Sequence, residues 1–261
     1  MFVDIGANLT HDDFNQDFDL VLDRAFNAGV GKIMVTGSSQ QSSAEALALA
    51  QRYPGQLFAT AGIHPHHAEE TTPAVIDSLA QMLAQNEVKA VGETGLDFFR
   101  DLSPREIQVS SFESHIELAI EHKLPMFLHE REAYPRFAEI LRAHRGRLNK
   151  VVVHCFTGEK EALHAYLDLG CHIGITGWIC DERRGKHLLD IVGDIPTNQL
   201  MIETDAPYLL PRTIRPRPKS RRNEPSFLSY VCNTIAQVTG KSPEEIAAST
   251  KHNAEEFFDL C

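Results

Sequence analysis

Cysteine is scarce in this sequence, and long hydrophobic segments are absent. The 5 cysteines are an odd number without a repeated spacing, which argues against a disulfide framework and for reduced thiols. No stretch approaches the roughly 18 uncharged apolar residues that a membrane-spanning helix needs, so we expect no membrane contact. The amino-terminal segment is neither basic nor apolar enough for a signal peptide. These absences predict a cytoplasmic protein.

Basic residues are also in deficit. Lysine and arginine number 25 against 36 acidic residues, which gives a formal net charge of −11. This balance excludes a protein that binds nucleic acid over its whole surface, but it leaves room for a local basic patch. The chain has no glycine-rich phosphate loop of the P-loop or Rossmann type. Histidine is abundant, with 13 residues, which raises the question of a bound metal.

Short apolar segments alternate with longer amphipathic segments along the chain. Strands are predicted at 1–5, 32–36, 57–63, 88–93, 125–129, 150–155, 172–176 and 200–203. Helices are predicted at 16–28, 42–52, 73–85, 104–122, 133–144, 159–169, 184–192, 227–239 and 243–249. This alternation predicts an α/β fold, a (β/α)₈ TIM barrel, with a doubly wound open sheet as the alternative. The expected organisation is one barrel domain over residues 1–261, with an Arg/Pro-rich insertion at about 206–225 after the eighth strand.

Ionisable side chains follow the predicted strands at their carboxyl ends. They are Asp4, His64, His66, Glu93, Asp97, His129, Glu130, Arg131, His154, Glu203 and Asp205. A single such group is usually a hydrogen-bonded core residue. The carboxyl ends of barrel strands carry the active site, however, so the number of these groups favours convergence on one site. A mixture of imidazoles and carboxylates suits a divalent ion such as Mg²⁺, Mn²⁺ or Zn²⁺.

Five short motifs occur in order along the chain. They are GIHPH at 62–66, GETGLD at 92–97, FLHER at 127–131, VHCFTG at 153–158 and ETDAPY at 203–208. Together they resemble the signature set of the TatD-type metal-dependent deoxyribonucleases, a family of amidohydrolase-like barrels. The resemblance covers essentially the whole chain. Three further segments, DIGANLT at 4–10, ITGWICDERRG at 175–185 and SRRNEP at 220–225, are more similar to bacterial members than to wider relatives.

The resemblance implies an activity and a ligand set. It implies a Mg²⁺-dependent hydrolase that degrades single-stranded DNA and RNA from the 3′ end, in DNA repair or nucleic-acid turnover. By analogy and by strand position, the metal ligands are Glu93, His129, His154 and Asp205. Glu93 and Asp205 are the expected catalytic residues, with Asp205 as the general base that orients and deprotonates water. A carboxylate beside a metal can also be a ligand, and the two roles are compatible.

One position departs from the family pattern. Most relatives carry a His-x-His pair just after the first strand, and the matching residues here are Gly6 and Asn8. Glycine has no side chain, and an amide is a weaker metal ligand than imidazole. The departure argues against a tight two-zinc cluster and favours Mg²⁺ or Mn²⁺, which keep bound water and use phosphate oxygens.

Further residues are expected to contact the substrate. They are His64, His66, Arg131, Glu203, Tyr208, Arg221 and Arg222. The histidine pair could hold a second metal, but hydrogen bonds to phosphate are favoured because the strand-1 histidines are absent. Arg131 could bind phosphate with both guanidinium arms or form a salt bridge. Glu203 shares a strand face with Asp205 and could orient a ligand.

The Arg/Pro-rich segment and several aromatic residues are open to two interpretations. The cations of residues 212–222 either track the phosphate backbone or form a solvated loop. Aromatic residues after strand ends either stack on unpaired bases or belong to the core; they are Phe98, Phe99, Trp178 and Tyr208.

Two other functions stay open at this point. The same barrel could hydrolyse another bond, such as an aminoacyl ester or a cyclic amide. The chain could also be a binding protein whose site has decayed, as Gly6 and Asn8 would allow, although the four expected ligands are present. No obligate protein partner is indicated, and a monomer is expected.

Overall fold

In the computed structural model, which describes residues 1–260, parallel strands alternate with helices. The strands are β1 (Phe2–Ala7), β2 (Val30–Val35), β3 (Leu57–Ala61), β4 (Val88–Asp97), β5 (Met126–Arg131), β6 (Val151–Val153), β7 (His172–Ile175) and β8 (Leu200–Ile202). The helices are α1 (Phe18–Asn27), α2 (Gln40–Arg52), α3 (Pro73–Leu83), α4 (Arg105–His122), α5 (Tyr134–His144), α6 (Lys160–Asp168), α7 (Lys186–Ile191), α8 (Leu228–Thr239) and α9 (Pro243–Phe258). No α-helix of the described part is long and apolar enough to span a bilayer.

The eight strands belong to one sheet, in the order β1 to β8. The pairs β3–β4, β4–β5, β5–β6 and β7–β8 are parallel. A doubly wound sheet would reverse its strand order part-way, and this sheet does not. The predicted (β/α)₈ barrel class is therefore confirmed.

Contacts divide the chain into two compact units. One contains Met1–Met34, Cys155–Glu159 and the chain from Ile173 onward; the other contains Val35–His154 and Lys160–His172. The expectation of one domain over residues 1–261 stays a prediction.

The core of the second unit forms between its central strands and the covering helices. Residues 126–128 of β5 and all of β6 are apolar and buried, as is typical of parallel strands covered on both faces. Phe112 of α4 and Phe137 of α5 stack with ring centroids 5.2 Å apart. Each fully buried ring of this kind contributes about 1.5–3 kcal/mol of hydrophobic stabilisation. This packing fixes the strands whose ends carry the candidate site.

Two strands run further than the sequence predicts. β4 ends at Asp97 rather than 93, and β5 ends at Arg131 rather than 129. Gly92 and Gly95 adopt positive φ angles of 138° and 143°, which only glycine adopts easily. A side chain at either glycine would collide with the β5 backbone. Glycine therefore extends the strand pairing here rather than ending it.

The last helix is also longer than expected, because α9 continues to Phe258 and the predicted end at 249 is wrong. Its inner face includes the polar residues Thr250 and Asn253, which interrupt the apolar pattern. The Asn253 amide donates to the carbonyls of Thr197 and Leu200 at 2.7 and 2.8 Å. A polar residue thus anchors this helix at the start of β8.

Candidate metal centre

The carboxylate of Glu93, on β4, lies among three imidazoles. Its Oε1 is 2.7 Å from Nε2 of His154, 3.0 Å from Nδ1 of His129 and 3.4 Å from Nε2 of His64. Glu93 is 7% exposed and His154 is 3% exposed. The structure thus brings together three of the four predicted ligands, and it adds His64, which the sequence assigned to substrate.

The backbone before His64 is held in place from two sides. The amide of His64 donates to the carbonyl of Ser38 at 2.9 Å. The preceding amide, of Ile63, donates to Nε2 of the buried His115 on α4 at 3.0 Å. Pro65 then begins a short 3₁₀ helix, and the His64 Nδ1 accepts from the amide of His66. These contacts fix where the His64 imidazole can lie.

Electrostatics keep the Glu93 carboxylate ionised. Burial alone would raise the pKa of Glu93, but the surrounding imidazoles lower it well below its ordinary range. Burial lowers the pKa of His64 well below its ordinary value, although Glu93 opposes the shift. Burial would also lower the pKa of His129, but the nearby carboxylates of Asp97 and Glu93 raise it. A buried anion faced by histidines is a favourable environment for a cation.

Asp97, at the end of β4, is a second carboxylate that the sequence placed near the site without assigning it a role. It is 1% exposed, and its Oδ2 lies 2.8 Å from Nε2 of His66 and 3.4 Å from Nε2 of His129. Its Oδ1 accepts from the amides of Phe99 and Arg100. The available signal was its position four residues after Glu93 on one strand. A carboxylate on the second nitrogen of a histidine orients the ring for metal binding.

The residues present fit a divalent ion. Ligand atoms of His64, Glu93 and His129 all lie within 4.8 Å of one another. Nε2 of His129 is buried and forms no hydrogen bond with any residue in the described range 1–260, although buried polar atoms are normally satisfied. Imidazole nitrogen and carboxylate oxygen together are a ligand set for divalent metals. This cluster is therefore able to hold a divalent metal ion.

Asp205, the fourth predicted ligand, lies in the other compact unit. Its Oδ1 accepts from the Asn8 amide at 2.9 Å, and its backbone amide donates to the carbonyl of Gly6 at 2.8 Å. The two residues that replace the usual histidine pair thus hold Asp205. The nearby Glu203 is fully buried, and its Oε1 accepts from the amide of Cys155.

The remaining predicted substrate residues have different surroundings. The Arg131 guanidinium stacks on Phe99, and Tyr208 is exposed beside His11. Arg221 is exposed. Arg222 is bound by carboxylates, with its Nη1 2.7 Å from Asp17 and its Nη2 2.7 Å from Glu224. Their roles toward substrate stay predictions.

A comparison with known families decides the affiliation. The sequence profile of the family described as TatD related DNase matches residues 3–259. The chain belongs to the TatD related DNase family. The resemblance inferred from the motifs is thereby confirmed.

Relatives of this TatD-family chain match it over nearly its whole length. A Pantoea vagans protein named 3′-5′ ssDNA/RNA exonuclease TatD is 47% identical over 257 residues, which is 98% of this chain and 99% of that protein. A protein of the same name from Erwinia billingiae is also 47% identical, covering 98% of each chain. The crystal structure of YJJV, a TatD homologue from Escherichia coli K12, has 31% identity and a TM-score of 0.90, covering 99% of this chain and 98% of that one. This likeness supports the barrel fold.

Proposed function

We propose that this TatD-family protein is a metal-dependent 3′-5′ exonuclease that hydrolyses phosphodiester bonds of single-stranded DNA and RNA. The observation that carries the proposal is the Glu93 carboxylate among His64, His129 and His154, at 2.7 to 3.4 Å. The exonuclease names of relatives at 47% identity support the substrate class. An enzyme of this kind is a hydrolase acting on ester bonds.

The proposed ion site contains Glu93, His129, His154 and Asp205, with Mg²⁺ as the proposed ion. A bound divalent ion would neutralise charge on the phosphate and make water more nucleophilic. The departure at Gly6 and Asn8 favours Mg²⁺. His64 adds an imidazole next to Glu93, which suits Mn²⁺ and Zn²⁺ as well. The three ions are therefore separate arms of the experiment below.

Residues of the chain itself take the remaining roles. We assign to Asp205 the role of general base, which orients a water and accepts its proton. The Asn8 amide donates to Oδ1 of Asp205 at 2.9 Å, and this contact helps to orient the carboxylate for that role. Asp97 contacts His66 at 2.8 Å, and we assign His66 to a hydrogen bond with a phosphate oxygen. His64, which the sequence also assigned to substrate, is assigned instead to the ion beside Glu93. Glu203 is proposed to orient a neighbouring group from its buried position.

The basic segment after β8 is proposed to guide the strand. Most of its cations lie on an exposed loop; they are Arg215, Arg217, Lys219 and Arg221. Such a loop provides local attraction for phosphates despite the net charge of −11. Action as a monomer in the cytoplasm, in DNA repair or nucleic-acid turnover, completes the proposal.

The test uses the chelator-treated protein and single-stranded DNA or RNA labelled at the 5′ end. Each oligonucleotide is supplied with a free 3′ end or with a blocked one, and Mg²⁺, Mn²⁺ or Zn²⁺ is added separately. We expect stepwise shortening that requires an ion and a free 3′ end, with Mg²⁺ the most effective. Gel electrophoresis of the labelled products reads the result.

Each contrary result removes a defined part of the proposal. Cleavage that persists with chelator alone would contradict the metal requirement. Equal cleavage of blocked and free oligonucleotides would contradict the 3′ polarity but leave a nuclease. The absence of cleavage of any oligonucleotide with any of the three ions would refute the proposed function.

A further inference from the structure

An exposed aromatic ring and a guanidinium group form a stack beside the metal centre. Phe99 is 50% exposed, which places its ring in reach of a ligand. The guanidinium carbon of Arg131 lies 4.0 Å from the centroid of this ring. A contact of this length is a cation–π interaction. The pair presents a planar, partly apolar and positively charged surface.

The stack is fixed by the same carboxylate that contacts the histidines. Asp97 accepts from the amide of Phe99 through Oδ1 at 3.0 Å, and it contacts His66 and His129 through Oδ2. The preceding amide, of Phe98, donates to the carbonyl of Arg131 at 2.9 Å. The loop after β4 and the end of β5 are therefore joined, so the position of the ring depends on the site itself.

Strand geometry gives the distance from the stack to the metal centre. Asp97 pairs with Arg131, and Gly95 pairs with His129, in the β4–β5 register. Glu130, between the two β5 residues, accepts from the Tyr166 hydroxyl at 3.0 Å and so points to the other face. His129 and Arg131 thus share a face, about 7 Å apart along the strand. This separation is comparable to the length of one nucleotide.

We propose that the Phe99–Arg131 stack is a subsite for one unpaired nucleobase of the substrate, next to the nucleotide at the metal centre. The inference rests on the proposed exonuclease function. A base can stack on the phenyl ring or on the guanidinium plane, and such stacking tolerates any base. The positive charge of Arg131 also favours the adjoining phosphate. A base held in a duplex cannot enter this stack, so the subsite selects single strands.

The experiment is a double-mutant cycle that combines one change in the protein with one change in the substrate. Single-stranded DNA is prepared intact or with one abasic residue at each of the three positions nearest the 3′ end. Binding to wild type, Phe99→Ala and Phe99→Tyr is measured by fluorescence anisotropy in chelator, where no cleavage occurs. Phe99→Ala should weaken binding of intact DNA about five- to hundredfold. Phe99→Tyr, which keeps a ring, should bind like wild type.

The abasic substrates identify what the ring touches. At one position, removal of the base should weaken wild-type binding by a similar factor and should not weaken Phe99→Ala further. A matched control is Tyr53→Ala, because Arg52 stacks on Tyr53 at 5.1 Å at the end of α2, away from the strand ends that carry the site. This variant should bind intact DNA like wild type.

The outcomes separate this inference from the function beneath it. If wild type binds and degrades DNA while Phe99→Ala binds every substrate as tightly as wild type does, the subsite is refuted and the exonuclease function remains. Independent, additive effects of Phe99→Ala and of every abasic residue would refute it in the same way. If wild type neither binds nor degrades single strands, the proposed function fails first.

Discussion

Two clusters of ionisable side chains in this protein contain four groups each but differ in what they do. The histidine cluster consists of Glu93, His64, His129 and His154; the arginine cluster consists of Asp17, Arg24, Arg222 and Glu224. Contacts within both reach 2.7 Å, so distance does not distinguish them. The two clusters differ in the kind of charge that they contain and in whether every polar atom has a hydrogen-bond partner.

The arginine cluster is balanced by permanent charges. Arg24 lies 2.7 Å from Glu224 and 2.9 Å from Asp17, and Arg222 contacts the same two carboxylates. Two cations thus meet two anions, and each guanidinium contacts both carboxylates. Such a network stabilises local structure without needing a ligand. Arg222, although it belongs to the basic segment, is engaged in this way.

The histidine cluster is not balanced in the same way. The Glu93 carboxylate faces three imidazoles, and Nε2 of His129, although 3.4 Å from Asp97, forms no hydrogen bond with any described residue. A divalent cation could use the carboxylate and the ring nitrogens together. The comparison teaches that an incomplete cluster of titratable groups marks a ligand site better than a local excess of charge does.

The largest expected effect comes from Glu93→Gln. This change keeps the shape of the side chain but removes the only carboxylate of the histidine cluster, so kcat/KM on single-stranded DNA should fall at least about 1000-fold. Glu130→Gln is the matched control, because Glu130 is equally buried but bonds Tyr166 and the Ala133 amide. It should retain activity within a few-fold. Comparable losses in both variants would contradict the special role of Glu93.

Ion binding should distinguish the histidine cluster from the arginine cluster even when no substrate is present. At an ion concentration of 100 times Kd, Mg²⁺ or Mn²⁺ should raise the unfolding free energy of wild type by about 2.7 kcal/mol. Glu93→Gln should lose this gain, whereas Arg24→Ala should keep it. Urea denaturation with ion or with chelator measures both. An equal gain in wild type and Glu93→Gln would place the ion elsewhere.

His115 extends the comparison to a buried histidine whose nitrogens are both satisfied. Its Nδ1 donates to the carbonyl of Ser111 at 2.7 Å, and its Nε2 accepts from Ile63. Burial lowers its pKa from 6.5 to about 4. The unfolded chain therefore binds the proton more readily between these values. The stability that His115 provides is present above about pH 6.5 and is lost as the pH falls toward 4.

The expected loss from this residue is about 2 kcal/mol at pH 5 relative to pH 7.5. His115→Gln keeps an acceptor for the Ile63 amide but does not titrate, so its stability should fall less over this range. Urea denaturation of both proteins at the two pH values gives the difference, since the other histidines contribute to each. Identical pH profiles would show that His115 is not the titrating group.

Much of the fold follows from local patterns in the sequence. Each predicted strand and helix corresponds to an element of the structure. The reason is that the residues buried in an apolar core recur at the spacing of the strand or helix that carries them. The errors lie where polar or special backbone residues serve the fold. Thr250 and Asn253 interrupt the apolar pattern, so the sequence does not predict the second half of α9. Gly92 and Gly95 are typical of a turn, so the sequence does not predict that β4 continues through their positive φ angles.

The sequence also predicts one part of the candidate site and not another. The motifs predict that Glu93, His129 and His154 converge, because each follows or ends a parallel strand. They do not predict that His64 approaches Glu93 or that Asp97 joins His66 to His129, since these contacts depend on the turn at Pro65 and on the β4–β5 register. The contact of Arg222 with Asp17 is not predicted either, because Asp17 lies about two hundred residues away in the chain.

The smallest expected effect tests the other half of the comparison. Arg24→Ala removes one cation from the arginine cluster, and the Arg24 side chain is 42% exposed, so screening by water limits the loss to about 1 kcal/mol of unfolding free energy. Arg222 still contacts Glu224 at 2.7 Å, which prevents a buried, unpaired carboxylate. Because the contacts of Arg24 are with Asp17 and Glu224, kcat/KM should stay at the wild-type value. Denaturation and cleavage assays on one preparation check both halves. A large loss of activity without a loss of stability would mean that the arginine cluster also serves the substrate, and the contrast between the two clusters would fail.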